Sequence, residues 1–390
     1  MTGEPSPAPA HGDLTSAAAP IFEMASLGNV GGGAGLAARF RAAALPANTR
    51  AAYAGDWAKF TAWCARTDQS PLPADPTVVG EYLAQAATLV DEHGAPVYAP
   101  ATLARWVAGI NAVHRAAGHS APGADLAVAA ILRGIRATQR RPPHRAKPLR
   151  LPQLTAVLDA IETRTWPAAV IGRRDVALLL LGFAGALRRS ELAALTVGDI
   201  QIEDGDLIAR IPLSKTDQDA TGRSVGYPRG SRRQTCTACA TLNWARLVAV
   251  YTTERRVGVL RVLHQDRAGG HRGHICTRPE ALAVWGDLVA ADPTAPLLRP
   301  VTKAATISND PISGSAVNAV LTRRLAAAGI DPAGYSGHSL RAGFVTDAFT
   351  AGATAHEIMR QTRHTTPATL EAYARHYTPL EANAVNRIGL

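Results

Sequence analysis

A mainly α-helical chain with one small antiparallel sheet, divided into two folded parts, is predicted by three observations. From about Leu36 to Thr138, apolar residues recur at helical spacing. Gln139 to Leu149 (QRRPPHRAKPL) then breaks the pattern with adjacent prolines and Arg140, Arg141, Arg145 and Lys147. From Asp199 to Tyr227, short apolar-bearing runs separated by turn signals read as strands, and helical periodicity resumes beyond them. At 390 residues the chain is long enough for two or three domains, each with its own core.

Residues 1–35 are rich in Ala, Pro and Gly and read as a disordered, inert tail. In residues 36–138, Asn48 is expected to cap a helix in which Tyr53, Trp57 and Phe60 recur at i, i+4 and i+7. Asp75-Pro76 opens a second helix with Val78, Val79, Tyr82 and Leu83 apolar. Leu103, Trp106, Val107, Ile110 and Val113 mark a third, ended by Gly118; Leu126, Val128, Ile131, Leu132 and Ile135 mark a fourth. Stripes of this kind are core rather than cofactor boxes. The proline-rich segment 139–149 stays extended and is a domain boundary, either a linker that tracks a nucleic-acid strand or a solvated hinge.

The second part, 150–390, opens with a helix over Leu151–Glu162 and a strongly apolar one over Val176–Phe183 that leads to Arg188. Glu191, one turn on, is read as an orienter of an arginine, and Asp199 as a cap or brace for the strand that follows. Glu203-Asp-Gly-Asp206 is a turn, and Leu207–Pro212 and Arg223–Tyr227 are strands joined by a polar loop that carries Lys215. Cys236-Thr-Ala-Cys239 opens a helix with Trp244, Leu247 and Val250, and His271-Arg-Gly-His274-Ile-Cys276 follows. These are zinc-ligand residue types, but the second cluster fits no spacing of a known motif, so the reading is of buried or free cysteines and no metal. With four cysteines, disulfides are not expected. Ala316–Ala328 is a further helix.

The charge balance is 41 Lys+Arg against 31 Asp+Glu, a formal +10, which favours a polyanionic partner, most commonly nucleic acid. No apolar run approaches membrane-spanning length, and no basic segment followed by an apolar core opens the chain, so a cytoplasmic protein without a membrane partner is expected.

The densest chemistry lies between Tyr335 and Tyr377. His338 and Arg341, three apart, share one face of a helix that Gly352 stops. Thr354 and Glu357 form a capping box for the next helix, which carries Ile358 and Met359 inward and ends near His364. Thr366-Pro367 looks like the start of a third, which would carry Tyr373. Two imidazoles, a guanidinium and a phenol in one site suit work on a phosphodiester. A phosphoryl transition state spreads negative charge over non-bridging oxygens, and arginine forks match that geometry while staying charged. Tyrosine, with a pKa near 10, attacks only beside cationic or basic neighbours.

Arg188, Lys215, His338-x-x-Arg341, His364 and Tyr373, in this order, resemble the tyrosine recombinase (phage integrase) family, with its Cre-like and Xer-like site-specific members. The resemblance runs from about Lys147 to the C-terminus, and the nine-residue step from His364 to Tyr373 fits the family's closing motif. It implies a helical core-binding (SAM-like) DNA-binding domain over 36–138, a linker over 139–149 and a mixed α/β catalytic domain over 150–390. Tyr373 would be the nucleophile that forms a 3′-phosphotyrosyl link, with Arg188 and Arg341 on the non-bridging oxygens. His338 would assist proton transfer, His364 would donate to the phosphate, and Lys215 would be the general acid for the 5′-oxygen. Double-stranded DNA as partner, a homotetramer in synapsis, a C-terminal tail (Leu380–Leu390) docked on a neighbouring protomer, and no cofactor, ATP or metal in the exchange are further implications. Arg363 departs from the pattern, since the family often has glycine there. Tyr377 is a rival nucleophile, with His376 beside it. A type IB topoisomerase, a non-catalytic DNA-binding regulator and a helix-rich interaction protein remain as alternatives.

Overall fold

The computed structural model describes residues 45, 47–139, 146–211, 223–269, 273–364, 366 and 370. By contacts the chain divides into two compact units, Met1–Pro143 and His144–Leu390.

The first unit contains α1 (Ala47–Arg66), α2 (Pro76–Thr88), α3 (Pro100–Ala116) and α4 (Leu126–Thr138). Asn48 is therefore inside α1 rather than its cap. Asp75 does cap α2, its carboxylate accepting from the Thr77 N–H at 2.7 Å, and Asp125 caps α4 in the same way. The aromatic residues of the periodic stripes meet in one core: Trp57, Phe60, Trp63, Tyr82 and Trp106 are all buried. Their rings are tilted or stacked at centroid distances of 5.2–6.4 Å, a favoured range for aromatic pairs. His114 is buried there too, donating from Nδ1 to the Ile110 carbonyl and accepting from the Ala74 N–H at Nε2.

The second unit is built around α6 (Ala168–Ala184), which follows α5 (Leu151–Asp159). Both bounds differ from expectation: α5 stops three residues early, and α6 extends eight residues before Val176. From Ala177 to Phe183 every residue of α6 is buried, as an all-apolar helix requires. The helix also carries Asp175, fully buried, whose carboxylate accepts from Arg174 at 2.6 Å, Arg324 at 2.7 Å and Arg323 at 3.0 Å. These last two lie on α10 (Gly314–Ala327), so one carboxylate ties two helices together.

After α7 (Arg189–Ala194), strands β1 (Ile200–Glu203), β2 (Asp206–Ile211) and β3 (Arg223–Tyr227) form an antiparallel sheet in that order. Asp199 braces the turn before β1 by accepting from the N–H and hydroxyl of Thr196. Helix α8 (Thr237–Ala268) is broken at Arg255, where φ is 54°. Then come α9 (Pro279–Ala291), α11 (Gly337–Thr350) and α12 (Ala355–Thr362). Among the described residues no helix is long and apolar enough to cross a membrane. The cysteines are free and buried, as expected, and three of them, Cys236, Cys239 and Cys276, converge with His274.

Candidate active site

Four of the six expected site residues lie within the described residues, and the fold gathers them at the C-terminal end of α6. That helix finishes in a Schellman motif, with Leu187 N–H donating to the Gly182 carbonyl and Ala186 N–H to that of Phe183. Ala186 takes the left-handed conformation (φ 46°) that such an end demands, although it is not glycine. The turn aims the Ala186 carbonyl at Arg341, whose Nη1 donates to it at 2.6 Å. Arg341 is buried on α11, one turn after His338. Ser336 caps α11, its hydroxyl accepting from the His338 N–H at 3.3 Å.

Arg188 follows the turn and precedes α7. Glu191 holds it twice, accepting from its N–H at 2.8 Å and from Nη1 at 2.6 Å. The guanidinium remains about one-third exposed while Glu191 is buried. The second oxygen of Glu191 also accepts from Arg363 Nη2 at 2.7 Å. Burial pushes the Glu191 carboxyl up, but Arg363 and Arg188 outweigh it and hold the group below the ordinary carboxylate range. Glu191 therefore orients one arginine that faces solvent and neutralises another that does not.

Arg363 explains its own departure from glycine. It ends α12 in the left-handed region (φ 59°, ψ 33°), where glycine is at no disadvantage, and its side chain runs inward to Glu191. His364 follows directly. Thr362 donates its single hydroxyl proton to the Ile358 carbonyl at 2.7 Å, so the 2.8 Å contact with His364 Nδ1 places the imidazole proton on Nδ1. Burial, then Arg341, Arg188 and Arg363, lower the His364 pKa to about 4. At neutral pH the ring is uncharged with its lone pair on Nε2. His338, whose ring still reaches solvent, is also held below the usual imidazole range by partial burial and by Arg341, Arg189 and Arg188. The same arginines act on both imidazoles, so the two histidines share one cationic environment.

Helix α12 is fastened by Gln361, whose amide donates to the carbonyls of Ala184 at 2.7 Å and Gly226 at 2.9 Å. Tyr227, buried at the end of β3, donates to the Leu181 carbonyl at 3.1 Å. Gln361, Thr362 and Tyr227 were not singled out in the sequence. Only the position of Gln361 and Thr362 just before Arg363-His364 could have pointed to them. Lys215 and Tyr373 lie outside the described residues, as do Tyr377, His376 and, Thr366 and Leu370 apart, the helix expected to begin at Thr366-Pro367. Leu370 is described, and it is buried with Val345 and Ile358.

Among known proteins, the chain is 29% identical over 344 residues to "Integrase/recombinase xerD homolog" of Selenomonas ruminantium, covering 87% of this chain and 85% of that one. The chain is thus similar, along most of its length, to a curated integrase/recombinase. No family model matches this chain. Similar solved structures include the XerH site-specific recombinase bound to palindromic difH substrate in a post-cleavage complex, at 13% identity and a TM-score of 0.48. That match covers 90% of this chain and 83% of that one. A lambda integrase(75-356) dimer bound to a COC' core site matches at 15% identity and a TM-score of 0.46, over 87% and 94% of the two chains.

Proposed function

We propose that this chain is a tyrosine recombinase that cleaves and rejoins DNA at specific sites through a 3′-phosphotyrosyl intermediate. The observation that carries the reading is the gathering of Arg188, His338, Arg341 and His364 at one helix end, with Glu191 and the Ala186 carbonyl orienting the two arginines. A phosphodiester there meets two guanidinium forks for its non-bridging oxygens. The Tyr373 phenolate oxygen forms the new bond to phosphorus as the bond to the 5′-oxygen breaks. His338, which its surroundings hold in the neutral form, takes the phenol proton, and Lys215 supplies one to the leaving 5′-oxygen. His364 donates from Nε2 only as the imidazolium, because Nδ1 is committed to Thr362. The negative charge of a bound phosphodiester favours that protonation.

The covalent link conserves the energy of the broken bond, so a 5′-hydroxyl from another strand reverses the step and completes exchange. In this reading residues 36–138 are the core-binding domain, 139–149 the basic linker and 150–390 the catalytic domain. The partners are double-stranded DNA sites held by a homotetramer, in the cytoplasm at the nucleoid. Supporting these assignments are the formal charge of +10 and the family resemblance.

The test uses purified full-length protein, no added divalent cation, and nicked DNA fragments flanking its own gene, probed for an adduct that survives denaturant. The expected adduct forms with wild type and Tyr377→Phe and is absent with Tyr373→Phe. Loss only in Tyr377→Phe would move the nucleophile. Intact salt-sensitive binding with no adduct on fragments tiling the whole element would favour a non-catalytic regulator.

A further inference from the structure

The second unit contains a cluster that the recombination chemistry does not use. The Sγ atoms of Cys236, Cys239 and Cys276 and a ring nitrogen of His274 all lie within 4.8 Å of one another. Cys236 Sγ is 3.9 Å from Cys276 Sγ, and His274 Nδ1 is 3.4 Å from Cys239 Sγ and 3.9 Å from Cys276 Sγ. A tetrahedron with Zn–S of about 2.3 Å and Zn–N of about 2.0 Å has edges of roughly 3.5–3.8 Å. The three thiols are fully buried and His274 partly so.

We infer that Cys236, Cys239, His274 and Cys276 form a closed structural zinc site that clamps the base of a helical hairpin. As a straight rod, the 32 residues of α8 would span about 48 Å, yet Cys236, just before its first residue, meets His274 and Cys276, which follow its last. The break at Arg255 turns the chain back, and the Arg246–Asp266 ion pair at 2.9 Å links the two halves. The clamp sits opposite that turn, at the open end, where closing a long loop restrains the unfolded chain most. It also reaches the sheet: a Cβ at Gly205, in the β1–β2 turn (φ +89°), would lie 3.3 Å from Cys276 Sγ.

Ligand chemistry selects the metal. Three thiolates and one imidazole in tetrahedral array suit zinc rather than a hard cation, and four protein ligands leave no open position for catalysis. A disulfide accounts for the cluster less well, since it would use two sulfurs and leave the third thiol and the imidazole crowded beside it.

The site is tested on untagged full-length protein purified without added metal. Elemental analysis is expected to find one zinc per chain, and replacement by Co(II) to give the visible absorption bands of tetrahedral, thiolate-rich cobalt. Cys239→Ala should lose the metal. His274→Cys should keep it and shift the cobalt spectrum toward four thiolates, a readout that survives if the alanine variant fails to fold. Stripping the zinc with a chelator should lower the second unit's thermal midpoint by about 10 °C. Substoichiometric zinc with every thiol titratable, a Cys236–Cys276 disulfide by mass, or full zinc retention in folded Cys239→Ala would each overturn the inference. None of these outcomes depends on DNA cleavage.

Discussion

Glu191 sits between Arg188 and Arg363, so removing its charge should be felt at both. Arg363 is buried, and a buried cation deprived of its partner costs about 3–5 kcal/mol. Glu191→Ala should therefore lower the free energy of unfolding by about that much in a denaturant titration, with Glu191→Gln in between. A loss below about 1 kcal/mol would mean that Arg363 swings out to water, contrary to its placement here. Cleavage should fall in both variants, because Arg188 loses the contact that orients it. Glu191 was legible as an arginine holder from its place one turn after Arg188. Its second partner was not, because 172 residues separate Glu191 from Arg363 and nothing local records their meeting.

The helices that bear the site each end in a left-handed residue: Ala186 after α6, Gly352 after α11 and Arg363 after α12. Only Gly352 was readable in advance, since glycine at a helix end is the one residue type that announces this conformation. Gly352 and Gly343 differ in a testable way. A Cβ at Gly352 meets nothing within 4 Å, so Gly352→Ala should cost only the left-handed backbone penalty, about 1–2 kcal/mol. Gly343 lies inside α11, two residues after Arg341, and a Cβ there would sit 1.8 Å from the Leu149 carbonyl oxygen. Gly343→Ala should cost more, about 3 kcal/mol or above, because the Lys147–Leu149 segment must move off the helix that carries Arg341. Thermal unfolding of the two variants side by side checks the order, and equal midpoints would refute the close approach.

The chain as a whole has a formal charge of +10 and two folded units, each with its own apolar core. If it binds DNA through phosphates, log affinity should fall linearly with log salt, by about 0.9 for each phosphate neutralised. Between 50 and 200 mM salt a footprint of about six to ten contacts loses roughly 10³–10⁵ in affinity. A flat response in a titration of full-length protein would remove the polyanion from the account. The cores themselves were largely legible: the periodic residues Trp57, Phe60, Tyr82, Leu103 and Trp106 are all buried. Element ends were less so, as the end of α5 and the starts of α6 and α1 show. The start of α5 was legible at Leu151, although the Asp347 carboxylate of α11 that accepts from the Leu151 N–H was not, since it lies 196 residues away.

Periodicity and capping residues lie in the sequence itself, since each depends on residues within a turn or two of one another, and the order of Arg188, His338, Arg341 and His364 was legible there as a resemblance. The tertiary structure decided what depends on contacts between distant segments. It put the Nδ1 proton on His364 by spending the Thr362 hydroxyl on Ile358, and it joined Arg363 to Glu191. It also folded α8 back at Arg255 so that Cys236 and Cys239 meet His274 and Cys276. Such meetings are set by how helices pack and where they break, and no spacing along the chain encodes them.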